Sequence, residues 1–148
     1  MYLDEKLILL NIESKDKKIL LQELSEKFHE YGTVASASVF FDSIWEREES
    51  FSTGIGRNVA IPHSKSPTVK EVKLLIAIIP EGVEYDALDG EPVKIIFMFA
   101  VPLGEEKVYM SLLAKISTFV RVESNRDQLL GSQTKNAIIE LIRDVINE

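Results

Sequence analysis

The segment Ser52-Thr53-Gly54-Ile55-Gly56-Arg57-Asn58-Val59-Ala60-Ile61-Pro62-His63-Ser64-Lys65 is the part of the chain best equipped for chemistry. It contains His63, one of only two histidines among 148 residues. An imidazole with an ordinary pKa near ~6.5 is largely neutral at neutral pH, which leaves one ring nitrogen free to act as a nucleophile. His63 follows the short apolar run from Val59 to Ile61, at a strand end, where α/β proteins tend to place their ligands. Pro62 holds Ile61 extended and fixes its own φ, so the imidazole leaves the strand in a restricted direction. Gly54 and Gly56 permit positive φ, which lets consecutive backbone N–H groups converge into an anion-binding nest. Ser52, Thr53 and Ser64 add hydroxyl donors. Together these residues would set a nucleophilic nitrogen beside a cradle for phosphate oxygens. The plainer and commoner alternative is a turn followed by a hydrogen-bonded structural histidine.

Arg47 is the second candidate. It lies three residues after Ile44 and seven after Phe40, so on a helix it shares their inward side. A guanidinium there needs an anion, a carbonyl partner or room to snorkel. It suits a phosphate clamp, and it equally suits a salt bridge to Glu46, Glu48 or Glu49. His29, beside Glu30 near the end of the first helix, reads as a solvated residue that complements the helix dipole. Glu46, Glu48, Glu49, Glu105 and Glu106 flank the proposed site, either as an acidic rim that attracts a basic partner or as ordinary solvated charges.

Other chemistries are excluded. Zero cysteines remove disulfides, thiolate metal ligands and thiol catalysis. Two histidines with no recognisable carboxylate spacing give no metal site. The dinucleotide fingerprint fails because Val59 stands where its third glycine belongs, and neither a Gly-x-x-x-x-Gly-Lys loop nor a Gly-x-Ser-x-Gly elbow occurs. Lys plus Arg number 17 against 24 for Asp plus Glu, a net charge of −7, which argues against a nucleic-acid partner.

The elements that must position these residues follow from periodicity. Ile19, Leu20, Leu24 and Phe28 recur at helical spacing between Lys15 and Tyr31, with Asp16 in the first turn and Gly32 as a stop. A second helix, Ser36 to Glu48, buries Phe40, Phe41, Ile44 and Trp45. The stretch from Ser50 to Asn58 reads as a loop. Val59 to Ile61, Leu74 to Ile79 and Val93 to Val101 are continuous apolar runs that suit strands covered on both faces. Asp89-Gly90 marks a turn before the third run. Helical spacing returns at Val108, Leu112, Leu113, Ile116, Phe119 and Val120, and a last helix from Thr134 to Asn147 buries Ile138, Leu141, Ile142 and Val145. The state of the run from Leu7 to Ile12 stays open. The pattern gives an α/β fold, a three-layer sandwich with helices on both faces of a sheet. At 148 residues, 45% apolar and 28% charged, the expectation is one globular domain over residues 1–148. The longest apolar run, Ile95 to Val101, is far short of the ~20 residues that span a bilayer. Asp4 and Glu5 stand where a secretory signal needs positive charge. The protein is expected to be cytoplasmic, without membrane insertion.

The residues also match a family. Trp45-Glu46-Arg47-Glu48, Ser52-Thr53-Gly54-Ile55-Gly56 and Val59-Ala60-Ile61-Pro62-His63, then Leu88-Asp89-Gly90-Glu91-Pro92-Val93, Ile96-Phe97-Met98-Phe99-Ala100-Val101-Pro102 and Leu112-Leu113-Ala114-Lys115 resemble the enzyme IIA domain of the fructose–mannitol class. That domain belongs to the bacterial phosphoenolpyruvate-dependent sugar phosphotransferase system. The resemblance implies a mixed sheet of about five strands. It implies that Nε2 of His63 accepts a phosphoryl group from the phosphocarrier protein HPr and passes it to a cysteine of a IIB domain during sugar uptake, with no metal or organic cofactor. Arg47 matches the family's active-site arginine. With it, Thr53, Ser64 and Tyr109 are taken as phosphoryl-binding, and Gly54 and Gly56 as the loop.

Two positions depart from the pattern. Tyr109, in Tyr109-Met110-Ser111-Leu112-Leu113, stands where the family usually has a second active-site histidine. Its hydroxyl can donate a hydrogen bond, but with a pKa near ~10 it cannot become a cation; alternatively it packs over Leu113. Asn58 occupies a position that is often glycine. The tyrosine leaves open a regulatory module of the nitrogen-related kind, whose phosphorylation state controls partner proteins, or a descendant that binds partners without being phosphorylated.

Overall fold

The computed structural model describes residues 1–147. After a 3-10 turn at Glu5–Leu7 come β1 (Ile8–Leu9), α1 (Lys17–Tyr31) and α2 (Ala37–Ser50), then β2 (Gly54–Gly56), β3 (Val59–Ala60) and β4 (His63–Lys65). The two long strands β5 (Lys73–Val83) and β6 (Val93–Val101) follow, and α3 (Glu106–Val120), α4 (Glu123–Gly131) and α5 (Lys135–Ile146) complete the described chain.

The apolar runs sit at the centre of the sheet because both of their faces are covered. β5 and β6 pair antiparallel, β1 joins β5 in parallel, and the order runs β1-β5-β6-β3-β2 with β4 also beside β6. Side chains alternate across the pleat. Leu74, Ile76, Ile78, Ile95, Phe97 and Phe99 enter a core with α3, α4 and α5, while Leu75, Ala77, Ile79, Ile96, Met98 and Ala100 enter a second core with α1 and α2. This is the expected three-layer sandwich with a mixed sheet. The helices are stopped by local chemistry: Asp16 and Ser36 accept hydrogen bonds from the N–H groups of Ile19 and Val39, and Gly32 ends α1 at φ 98°.

The sheet has six strands where about five are expected, and Pro62 is the reason. β3 and β4 pair with β6 in one unbroken register, Val59 opposite Ile95 and His63 opposite Phe99. They are a single strand interrupted where proline has no N–H to give. The carbonyl of Pro62 still accepts from Phe99 N at 3.0 Å, so His63 leaves the interruption in register with the central strand.

Two elements differ from the sequence reading, and a third resolves what it left open. The stretch from Ser50 to Asn58 contains β2, whose pairing with β3 is made by a two-residue turn at Arg57 and Asn58, with φ of 58° and 67°. Such hairpin turns require positive φ at both central residues; Asn58 meets that demand without being glycine. The run from Leu7 to Ile12 holds the end of the 3-10 turn and β1, and its last three residues lie outside both elements. Helix α4 shows no apolar period, since only Leu129 of ESNRDQLLG is buried. Among the described residues no helix is long and apolar enough to cross a membrane.

Candidate active site

His63 opens β4, and its Nδ1 lies 2.9 Å from the carbonyl oxygen of Ile61. A carbonyl only accepts, so Nδ1 carries the proton and Nε2 keeps its lone pair. The Pro62 interruption makes this contact with the residue two positions back possible. The imidazole is half-buried and stacks on the ring of Tyr109, centroids 5.0 Å apart at 29°. Tyr109 in turn meets Phe99 edge-on at 5.1 Å and 74°. His63 borders a cavity of about 320 Å³ together with Arg47, Ser64, Lys65, Glu106 and Tyr109.

Burial is the main influence on the His63 pKa and holds it below the ordinary histidine value. The Ile61 carbonyl favours the cation, the Arg47 guanidinium disfavours it, and Glu48 favours it. The net direction is downward, so the ring is a neutral nucleophile at neutral pH. The folded state therefore resists protonation more than the unfolded chain does. The stability that His63 contributes is complete above ~6.5 and is lost as pH falls below that value. An NMR titration of the His63 ring is expected to give a midpoint below ~6.5; a midpoint at or above it contradicts this electrostatic picture.

Arg47 reaches the cavity from the last turn of α2, which lies against β4. Its guanidinium donates to the carbonyl of Phe51 and, among the described residues, makes no ion pair with Glu46, Glu48 or Glu49. Of the alternatives for an inward-facing arginine, the carbonyl partner holds. A guanidinium has five N–H donors, so most remain for an anion in the cavity.

Glu48 is neither rim nor solvated charge. It is 5% exposed, and its carboxylate accepts from both the N–H and the O–H of Thr53. Lys17 completes the pair from α1 at 3.0 Å, and the Lys17 ammonium also lies 4.3 Å from the centroid of the Tyr85 ring. This network ties the end of α2 to the start of β2 and fixes the turn that carries Arg47. Removing one partner of a buried ion pair leaves the other charge unpaired. Glu48→Ala is expected to cost about 3 kcal/mol, the low end of the range for such pairs because Lys17 keeps some access to water. Urea unfolding measures it, and a loss below ~1 kcal/mol, the worth of an exposed pair, contradicts the assignment.

The other proposed site residues divide. Ser64 and Tyr109 line the cavity, and the Ser64 hydroxyl donates to the Lys65 carbonyl at 3.2 Å. Thr53 does not line it: its hydroxyl is buried against Glu48 and lies 3.1 Å from the Tyr85 hydroxyl. Gly54 and Gly56 form no nest at His63. Gly54 lets β2 press on the segment around Ala87, where an added Cβ would lie 2.8 Å from the Ala87 Cα. Gly56, at φ 95°, precedes the hairpin turn beside Asp89. Gly54 serves packing by its missing side chain and Gly56 serves the turn by its positive φ, and the cavity's polar groups besides His63 come from Arg47, Ser64, Lys65, Glu106 and Tyr109. Lys65 and Glu106 pair at 3.4 Å at its margin. The sequence reading missed Lys65, although it stands two residues after His63 on the same strand face. Lys17 and Tyr85 carried no local signal. His29 is exposed, with Nδ1 3.1 Å from the Val34 carbonyl.

Comparison with known proteins places this geometry. The family model described as "Phosphoenolpyruvate-dependent sugar phosphotransferase system, EIIA 2" matches residues 1–145. The chain is 35% identical over 135 residues to the PTS system fructose-specific EIIABC component of Bacillus subtilis, covering 91% of this chain and only 21% of that protein. It is 30% identical over 115 residues to the PTS system fructose-specific EIIA component of Haloferax volcanii, covering 78% of this chain and 75% of that one. The solved structure of the nitrogen regulatory protein IIA-Ntr from Neisseria meningitidis superposes with a TM-score of 0.90 at 28% identity, over 95% of this chain and 96% of that chain. The mannitol IIA of Escherichia coli shares the fold, with a TM-score of 0.83 at 18% identity over 96% and 99% of the two chains. With a family match running almost end to end, this chain belongs to the EIIA type 2 family of the phosphoenolpyruvate-dependent sugar phosphotransferase system.

Proposed function

We propose that His63 is the phosphoryl acceptor of a relay in which this chain takes the group from phospho-HPr and delivers it to a IIB cysteine for sugar uptake of the fructose–mannitol kind. The single observation that carries the reading is the Nδ1 contact with Ile61, which leaves the Nε2 lone pair on a ring bordering the Arg47 cavity. In the first step Nε2 attacks phosphorus, and the P–N bond of the donor phosphohistidine breaks. The donor nitrogen leaves with the electron pair. The Nδ1 proton stays where the Ile61 carbonyl holds it. In the second step a IIB thiolate attacks the same phosphorus and Nε2 departs with the bonding pair.

Such transfers pass through a loose transition state, so the protein's work is alignment and stabilisation of the equatorial oxygens. Arg47 supplies the fixed positive charge and planar donor set for those oxygens. Both partners must reach one imidazole, so their footprints overlap and their binding is mutually exclusive. The absence of cysteine fits work in a reducing, cytoplasmic compartment.

The test uses purified chain with phosphoenolpyruvate, enzyme I and HPr. The expected result is an acid-labile label that purified IIB then removes. Failure to label overturns the relay. The closeness to the IIA-Ntr structure favours a second reading, a regulatory module that is phosphorylated in the same way but controls partner proteins. A labelled chain that donates to no IIB domain supports that reading.

A further inference from the structure

Two guanidiniums with no role in the relay meet at one cavity. A pocket of about 270 Å³ lies between the β2–β3 hairpin and the C-terminal end of α3, with apolar walls of Ile55, Val59 and Val120 and polar groups from Arg57, Ser117 and Arg121. Arg121 follows Tyr109 by roughly 18 Å along α3, so this cavity is not the one at His63. Among the described residues neither guanidinium makes an ion pair, hydrogen bond or ring contact, and the Ser117 hydroxyl donates to no protein group. In a chain with 24 Asp and Glu against 17 Lys and Arg, two arginines that share a cavity and lack an acidic partner need another reason.

Structural roles do not supply it. Arg57 has φ 58° at the first central position of the hairpin turn, where Asn, Asp or Gly is the usual residue and a bulky side chain is rare. Its backbone N–H donates to Asp89 at 2.9 Å, a bond that does not depend on its side chain. Arg121 caps α3, but the carbonyls that end the helix already have a cation. Arg126 donates to the carbonyls of Val120 and Arg121 at 2.8 and 3.1 Å. Like charges brought to one cavity repel, and a shared anion turns that repulsion into attraction.

We infer that this cavity is an anion site separate from His63, and that its ligand is a small phosphomonoester. Two planar guanidiniums and a hydroxyl present more donors than the two oxygens of one carboxylate can take, whereas the three terminal oxygens of a phosphomonoester accept from all three groups. The apolar walls suit a short carbon skeleton. The volume lies just under the ~300–1,000 Å³ usual for ligand pockets, which keeps the ligand small. Binding is reversible and involves no covalent step.

The experiment is a ¹H–¹⁵N NMR titration of the full chain with glycerol 3-phosphate at constant ionic strength. The amides of Arg57, Ser117 and Arg121 are expected to shift saturably with a millimolar Kd, and more weakly with inorganic phosphate, which leaves the apolar walls uncovered. Arg57→Asn and Arg121→Gln each weaken binding about tenfold, the worth of one hydrogen bond to a charged group. Arg57→Asn suits the turn better and melts at or above the wild-type temperature, so its weaker binding is not a loss of fold. Variants that bind like wild type, no saturation into the tens of millimolar, or a response confined to Ser64 and Lys65 beside His63 overturn the inference. A phosphoserine peptide that binds these residues where glycerol 3-phosphate does not also overturns it, in favour of a protein partner.

Discussion

A His63→Gln chain takes up no acid-labile phosphoryl group from phospho-HPr, while its circular dichroism and melting stay close to wild type. The loss is complete because no other side chain can stand in. The chain has no cysteine, and its other histidine is on α1, exposed, with a ring nitrogen directed at the Val34 carbonyl. The fold survives because His63 is only half-buried, and glutamine retains an N–H group that can donate to a nearby carbonyl. Intact-mass measurement after incubation with phosphoenolpyruvate, enzyme I and HPr reads the outcome. Label at wild-type level in the variant removes His63 from the site.

Arg47→Ala slows phosphoryl uptake by about 10²–10³-fold, the usual cost of deleting a preorganised donor at developing charge. The effect falls on rate, with little change in stability. Alanine is the best helix former, and Arg47 lies in the last turn of α2 with a carbonyl, not a buried carboxylate, as its partner. Arg47→Lys keeps the charge but not the planar donor set, so it recovers only part of the rate. Rapid-quench measurement of transfer from phospho-HPr separates the three proteins. Unchanged transfer in Arg47→Ala excludes the guanidinium from stabilising the transferred group.

The sequence exposes most of the layering because buried strands and amphipathic helices leave periodic marks. The runs ending at Ile79 and Val101, the stop at Gly32 and the helix starts at Ser36 and Thr134 can all be read from residue types alone. α4 escapes that reading because its burial rests on Leu129 alone, too little to make a period. β2 escapes because its two glycines and a threonine look like a loop, and only the approach to Ala87 shows why glycine belongs in a strand there.

The site divides along the same line. The placement of His63 at a strand end and of Arg47 on the inward side of α2 is legible because proline, strand end and helical spacing act locally. The partners of Glu48 are Lys17, thirty-one residues earlier, and Thr53, whose hydroxyl also lies 3.1 Å from that of Tyr85. No local pattern announces a contact between elements so far apart in the chain. Thr53 and the glycines suit a phosphate cradle on chemistry that is sound for a free loop. In the folded chain those groups are already committed to packing and to a carboxylate.

The most direct measurement is ³¹P–¹⁵N NMR of the phosphorylated wild-type chain with ¹⁵N-labelled histidine. The phosphorus–nitrogen coupling is predicted on Nε2 of His63, with the Nδ1 proton still held by the Ile61 carbonyl. Coupling to Nδ1 of His63, or to either nitrogen of His29, contradicts the assignment.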